Sequence, residues 1–553
     1  MVVLMPPRSM PPRRDGLPGP AARGGGRPFR AAALLAVLVA AGVAAGAVAC
    51  APRGGADGGD PLPGPAGRLD PIYDVMVSFP DAHVTIGGLD YAGITLDLEA
   101  TFDDPTVRDA DPRFRAPLRV VGVTAGGMVQ PFVVPQPIVM QGSIDGPAFE
   151  TDLFGPIQFG TANLVLSLHG LVESPARRIG GMAEILGTTT TGPFTAVRRR
   201  RYLVAGTDLS SPLGQAALVE LRYDSQASLA DNVESISSDP VARVADGRPI
   251  VVNRLSFDNL QGLDPRAGFK TVFQESTGNG SNPHDLAVLD AAAAGVSPGG
   301  PAAKAGVAFV TRYGPPYDDL ALFDLDDGAL LDHVDLQPLA RNADHLPRAD
   351  QVLLHDGLLW VTLQDANASF TQFMNGRLAI IDPAARAVVG VIDLAGQNPF
   401  ESLVYSPETG LIYVGLAGIF PGLNTQTLSG GIEAIDPATR ASRGLIVDDD
   451  ALGGNVSAVA IASAARGYAV VTDAAFHNRL KAFDPGTGDV LGTVYDSPDY
   501  LASLVADDGF VVLAEHSDSA PRLLILDGAT GALVAIVPLR LPPVSLAVMT
   551  RTL

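Results

Sequence analysis

One unit recurs six times in this chain: usually an apolar pair, then an aspartate, a short turn and a second apolar strand. The copies are Gly262-Leu263-Asp264-Pro265, Leu322-Phe323-Asp324-Leu325, Ile380-Ile381-Asp382-Pro383, Ala434-Ile435-Asp436-Pro437, Ala482-Phe483-Asp484-Pro485 and Ile525-Leu526-Asp527-Gly528, with aspartates spaced 60, 58, 54, 48 and 43 residues apart. A repeat of this length cannot bury its apolar face alone and must stack on its neighbours. Asp opens a turn by bonding nearby backbone N–H groups, and Pro does so by presetting φ. Each copy therefore predicts a reversal that sends the chain back antiparallel.

Two further elements precede the aspartate in the last five copies. The nearer is apolar on both faces: Val307-Ala308-Phe309-Val310-Thr311, Leu358-Leu359-Trp360-Val361-Thr362, Leu411-Ile412-Tyr413-Val414-Gly415, Tyr468-Ala469-Val470-Val471-Thr472 and Phe510-Val511-Val512-Leu513-Ala514. Such runs suit central strands packed between neighbouring sheets. The farther element is Asp285-Leu286-Ala287-Val288, Asp350-Gln351-Val352-Leu353, Glu401-Ser402-Leu403-Val404, Ser457-Ala458-Val459-Ala460 and Ala502-Ser503-Leu504-Val505. Four short strands per unit make a propeller blade. Five units lie between 283 and 539, another spans 240 to about 276, and a degenerate one spans 202 to about 233. The fold expected is all-β: a β-propeller of seven blades, within a range of six to eight, after a small β-sandwich or barrel. The tail Pro543-Val544-Ser545-Leu546-Ala547-Val548 matches the farther element with no blade behind it. It is expected to complete the first blade, which hides two open sheet edges at once.

The Tyr-Val-Thr-like strands (Phe309-Val310-Thr311, Trp360-Val361-Thr362, Tyr413-Val414-Gly415) and the Ile-Asp-Pro-like turns resemble the YVTN-type propeller repeats of bacterial secreted and surface proteins. The resemblance runs from about 204 to the C-terminus. It speaks to architecture, since this fold hosts binders, scaffolds and enzymes alike.

The N-terminal part reads as an address. Residues 1–30 hold six Arg and one acid, Asp15, and 31–49 carry no charge. A basic stretch before an apolar one is the layout of a secretory signal. The run Ala47-Val48-Ala49-Cys50 resembles a bacterial lipobox, and Cys50 is the only cysteine of the chain. The resemblance implies removal of 1–49 as signal peptide and lipid attachment at Cys50, hence a lipoprotein of the cell envelope, with the outer membrane as expected location. Ordinary cleavage and an uncleaved signal anchor are the alternatives. Residues 50–69, rich in Gly and Pro, read as a flexible tether.

From 70 to 199 the pattern is short apolar alternation, as in Gly93-Ile94-Thr95-Leu96-Asp97-Leu98, which marks half-buried strands. This stretch is expected to be the small all-β domain, with 200–553 forming the propeller. The basic run Arg198-Arg199-Arg200-Arg201 at its end reads as a solvated edge that discourages strand pairing, with anion binding as the other reading.

The composition excludes several functions. A net charge of −22 argues against nucleic acid, which requires a basic face. One cysteine excludes an intrachain disulfide and a Cys-rich zinc site. No Gly-x-Ser-x-Gly elbow or phosphate-binding glycine loop is present. Aligning the innermost strands puts Asp285, Asp350 and Glu401 in one column, with His284 alongside. Three carboxylates from adjacent blades facing the channel could hold Ca²⁺, which takes several oxygen ligands; water-facing acids at a channel mouth are the plainer reading. Asp448-Asp449-Asp450 raises the same pair of readings, and a solvated loop is the expected one. The loop from 420 to 429 is a candidate rim surface for a partner. The function expected is a non-catalytic binding or scaffold module with a protein or glycan ligand. The alternative is a metal-dependent propeller hydrolase or lactonase-like enzyme using the channel carboxylates.

Overall fold

The computed structural model describes residues 71–102, 113–173, 177–208, 211, 213–296, 306–325, 328–420 and 426–549. The expected signal peptide, Cys50 and the expected tether lie outside the described residues, as do 297–305 and 421–425 of the two long blade loops.

Seven four-stranded antiparallel sheets form the ring. In blades 2 to 7 the four strands follow each other in sequence from the channel outward, as in blade 4: Ala349–His355, Leu358–Leu363, Asn375–Asp382 and Ala387–Gln397. The innermost strands touch one another round the ring. The second strands are buried along their length, wholly in Val307–Arg312 and Leu411–Leu416 and after a partly exposed first residue in three others, because each is sandwiched between two other blades. Seven apolar clusters fill the seven gaps between blades. The repeated aspartate does the work its sequence position implies. Asp382 accepts from the N–H groups of Ala384 and Ala385, Asp436 from Ala438 and Thr439, and Asp484 from Gly486 and Thr487.

Blade 1 is built from both ends of the ring. Its outer three strands are Arg200–Gly206, Leu213–Arg222 and Gln226–Ser237, and its innermost strand is Pro543–Val548. Tyr202 pairs with Val548 and Val204 with Leu546 in antiparallel register. Leu546 is buried among side chains of blades 1 and 7.

The preceding domain is a closed barrel. Going round it, Ile72–Ile86 is followed by Thr191–Arg198, Arg178–Ile185, Ala162–Val172, Ala148–Thr151, Ile138–Asp145, Arg113–Ala125 and Leu89–Thr101, which pairs back to Ile72–Ile86. Leu89–Thr101 alternates buried and partly exposed residues along its second half, the period-two pattern of a strand with one face inward. Inside, Tyr73, Phe102, Phe114, Phe149 and Phe194 make a continuous ladder of ring contacts at 5.0 to 6.1 Å.

The expected solvated edge at Arg198–Arg201 is corrected by the structure: all four arginines are buried. They join the barrel to the propeller through carboxylates from both. Arg199 meets Asp74 at 2.5 Å and Glu99 at 2.6 Å in the barrel, and Glu220 at 3.4 Å in blade 1. Arg222 of blade 1 returns to Asp74 at 2.8 Å and Asp97 at 2.7 Å. Arg198 pairs with Asp508, and Arg200 with Asp224 at 2.9 Å and Asp507 at 3.2 Å. Four cations cannot be buried without such partners, since each costs several kcal/mol to desolvate. In the Asp448-Asp449-Asp450 run Asp448 and Asp450 are exposed as expected, and only Asp449 is a correction. Asp448 caps a short helix, Asp449–Leu452, by accepting the Asp450 N–H, and Asp449 is buried with the Gly430 N–H on its carboxylate. Burial pushes the Asp449 carboxyl up to about 6.

Candidate functional site

The barrel and the channel mouth occupy opposite faces of the ring. The strand Tyr500–Asp507 runs between them: Asp507 at its end meets Arg200, and Tyr500 at its start lies within electrostatic reach of Glu401. The candidate site is where the innermost strands begin.

Bulges decide which side chains meet there. The pairing register shifts between Pro283 and Leu286, between Ala349 and Val352, and between Pro399 and Leu403. One extra residue, as in blades 3 and 4, turns the following side chains to the other face, whereas the two extra residues of blade 5 offset the strand without turning it over. In the resulting register Leu286 opposes Val310, Val352 opposes Val361 and Leu403 opposes Val414. The column reaching Asp350 and Glu401 thus comes from His284, and Asp285 belongs with Gln351 and Ser402. The expected alignment was one residue out at blade 3.

Asp285 and its equivalents are inter-blade struts. Asp285 Oδ2 accepts the Val352 N–H at 2.9 Å, Ser402 Oγ the Val459 N–H at 3.0 Å, and Ser545 Oγ the Ala242 N–H at 3.0 Å. Splayed innermost strands cannot ladder with each other, so side-chain acceptors satisfy these buried donors. Arg243 adds a second tie, pairing with Asp285 and reaching Gln351 at 3.1 Å.

Asp350 is wholly buried. One oxygen meets His284 Nδ1 at 2.5 Å, and the other accepts the Glu401 N–H at 2.9 Å. Burial raises its carboxyl, but the His284 and Glu401 hydrogen bonds and the Arg254 charge outweigh it and leave the group below the usual range. Burial likewise holds His284 below the usual histidine range, against the pull of Asp350. Arg254 bridges Asp239 at 2.7 Å and Glu401 at 3.5 Å. Burial, only partly offset by Arg254 and reinforced by Asp350 and Asp239, lifts Glu401 to about 7. Asp285, Asp350 and Glu401 therefore spend their oxygens on backbone, His and Arg donors and do not converge. Among the described residues no group of three or more His, Cys, Asp or Glu side chains could hold a metal ion.

Sequence reasoning missed the aromatic and cationic part of the mouth. His284 stacks on Tyr313 at 4.1 Å, and Tyr313 is parallel to Phe370 at 6.1 Å. The Arg348 guanidinium lies over both rings, 5.0 and 4.7 Å from their centroids. Phe420, expected on an exposed rim, is buried edge-on against Phe400 at 5.9 Å. Arg348 is buried yet makes no ion pair among the described residues; the one hydrogen bond of its guanidinium there is Nη1 to the Tyr313 carbonyl at 3.1 Å. Two ring faces return about 2 kcal/mol or less each, which leaves the desolvation of a guanidinium only partly offset. Elsewhere a cavity of about 400 Å³ lies between the barrel and blades 6 and 7, lined by Arg177, Arg198, Arg200, Asp508, Phe510 and Gly528 among others.

No protein-family model matches the chain, and no curated protein matches it. Solved structures similar to it include dihydro-heme d1 dehydrogenase in complex with DHE, at 15% identity and a TM-score of 0.38, covering 62% of this chain and 74% of that one. Hydrazine synthase of Kuenenia stuttgartiensis is 14% identical over 61% of this chain and 95% of that one, with a TM-score of 0.36. A nidogen/laminin complex is 10% identical over 64% of this chain and 98% of that one, with a TM-score of 0.35. The seven-bladed ring itself stands on the sheet topology of this chain.

Proposed function

We propose that this protein is a lipid-anchored envelope protein whose propeller is a non-catalytic binding platform, displayed on the face away from the barrel. The observation that carries the reading is the arginine–carboxylate lock between the domains, centred on Arg199, Arg222 and Asp74. It holds the barrel against one face of the ring and leaves the channel-mouth loops for a partner. The mutual pairing of His284, Asp350, Arg254 and Glu401 also suits a rigid surface. The test combines two variants in intact cells. Cys50→Ser should abolish lipid labelling and move the protein to the soluble fraction. A photo-crosslinker at Thr371, in the loop between the second and third strands of blade 4, should capture a partner that the same probe at Thr195 on the barrel does not. Unchanged membrane association of the Cys50 variant, or equal capture at both positions, would overturn the reading.

A second reading is a hydrolase or lactonase-like enzyme using the channel carboxylates. It is favoured by Glu401, whose carboxyl at about 7 is in the range of a general base. Saturable turnover of esters or lactones, lost in Glu401→Gln, would support it.

A further inference from the structure

We propose that Arg348 is the cation of an oxyanion site at the channel mouth, which takes a small ligand carrying a carboxylate or phosphate group. The proposal names the ligand chemistry of the binding-platform reading and rests on it.

The blades supply an internal comparison. Asp239, Asn282, Arg348 and Asn398 occupy the same place, just before the innermost strand of blades 2, 3, 4 and 5. The backbone carbonyl of each accepts an N–H from the residue after the second strand: Arg254, Tyr313, Gln364 and Ala417 respectively, at 3.0, 3.3, 3.1 and 2.8 Å. Three of the four carry short side chains completed by protein groups. Asp239 takes Arg254, Asn282 takes the Leu255 N–H, and Asn398 donates to the Gly418 carbonyl. Asn282, Arg348 and Asn398 have φ of 46°, 56° and 57°. Asn tolerates that left-handed backbone and Arg does not favour it. Blade 4 thus holds, at a strained position, a long cation that the repeat does not require. Strain of this kind clusters at ligand sites.

Two donors around it have no acceptor among the described residues. Arg348 Nε and Gln364 Nε2 are both buried there with no hydrogen-bond partner. The Gln364 oxygen is already taken by the Tyr313 hydroxyl at 2.6 Å, which turns the amide nitrogen away from Tyr313. Gln364 and Arg348 are joined through their backbones and share Tyr313 as a neighbour. A buried guanidinium whose Nε–H lacks an acceptor and a buried amide N–H₂ that lacks one too are complementary to the oxygens of one anion, and Arg is the side chain suited to planar or tetrahedral oxyanions. Among the described residues the exposed Asp344 is the carboxylate that acts on Arg348, and its effect is smaller than that of burial.

The test is thermal unfolding of the purified full chain with inorganic phosphate or malonate titrated against chloride at constant ionic strength. The wild type should show a saturable rise in Tm with at least one of the two, and the arm that responds names the anion class. Arg348→Met should abolish the rise. Arg348→Lys, which keeps the charge without the fork, should weaken the response at least tenfold and covers the case in which the Met variant does not fold. Gln364→Leu should weaken it by a smaller factor. Equal rises in wild type and Arg348 variants, or no rise with either anion, would overturn the site. These outcomes require no envelope partner or lipid anchor, so failure here is separate from failure of the binding-platform reading.

Discussion

Arg222 of the propeller places its Nε 2.8 Å from the carboxylate of Asp74, a residue of the barrel that is wholly buried. The same carboxylate also holds Arg199, in the single residue that separates the last barrel strand from the first propeller strand. One acid therefore anchors two cations from either side of the domain boundary.

Asp74→Asn should destabilise the protein by about 3–5 kcal/mol, because it leaves buried guanidinium charge without its counter-ion. The urea midpoint would fall, and barrel and propeller should unfold in separate steps. A single transition at the wild-type midpoint would show that the lock does not couple the domains.

Two carboxyls should respond to pH in opposite directions. Glu401 is raised from 4.5 to about 7, so its contribution is fully present below pH 4.5 and is lost as pH rises through 7. Glu401→Gln should therefore gain on the wild type by about 1–3 kcal/mol between pH 5 and pH 8. Glu99 is lowered from 4.5 to about 2: burial raises it, but Arg119 and Arg199 outweigh that. Its contribution is present above pH 4.5 and is lost as pH falls through 2. Glu99→Gln should then cost stability at pH 7, and the cost should shrink as pH falls and vanish below pH 2. Melting curves of the three proteins across this range decide both.

Asp285→Ala removes the acceptor of the Val352 N–H and the partner of Arg243. A loss of about 1–3 kcal/mol is expected for the stranded donors. It should be the same in calcium and in chelator, because the strut needs no ion. A loss confined to calcium would place a cation at this carboxylate.

Leu546→Ala tests the closure of the ring. Leu546 is nearly inaccessible and packs among Tyr202, Val204, Leu523 and Val537. The substitution should cost about 2–5 kcal/mol, as for a buried leucine elsewhere. An effect near zero in chemical denaturation would mean that blade 1 holds without its innermost strand.

The legible part of this fold is periodic. The Asp-turn repeat and the doubly apolar second strands recur often enough to count blades, and the strand Pro543–Val548 announces itself as an innermost strand with no blade behind it. The channel column was misread at one residue because bulges before Leu286 and Val352 change facing without changing composition. Arg198 to Arg201 were misread for another reason. Their partners Asp74, Asp507 and Asp508 lie far along the chain, and a charge run alone does not show whether acids will be brought to it. Arg348 gave no signal at all until the blades could be superposed residue by residue.

Blade 1 has a consequence for the life of the chain. Its three outer strands are synthesised first and its innermost strand last, after every other blade exists. Until residues 543–548 emerge, the polypeptide is an arc with two bare sheet edges, ready to pair with a second such arc. A chain handed to an export channel as it is made would cross in this unclosed state, and any truncation before Pro543 would stay in it. The strand Pro543–Val548 thus sets the moment at which the arc becomes a closed ring with no bare sheet edge.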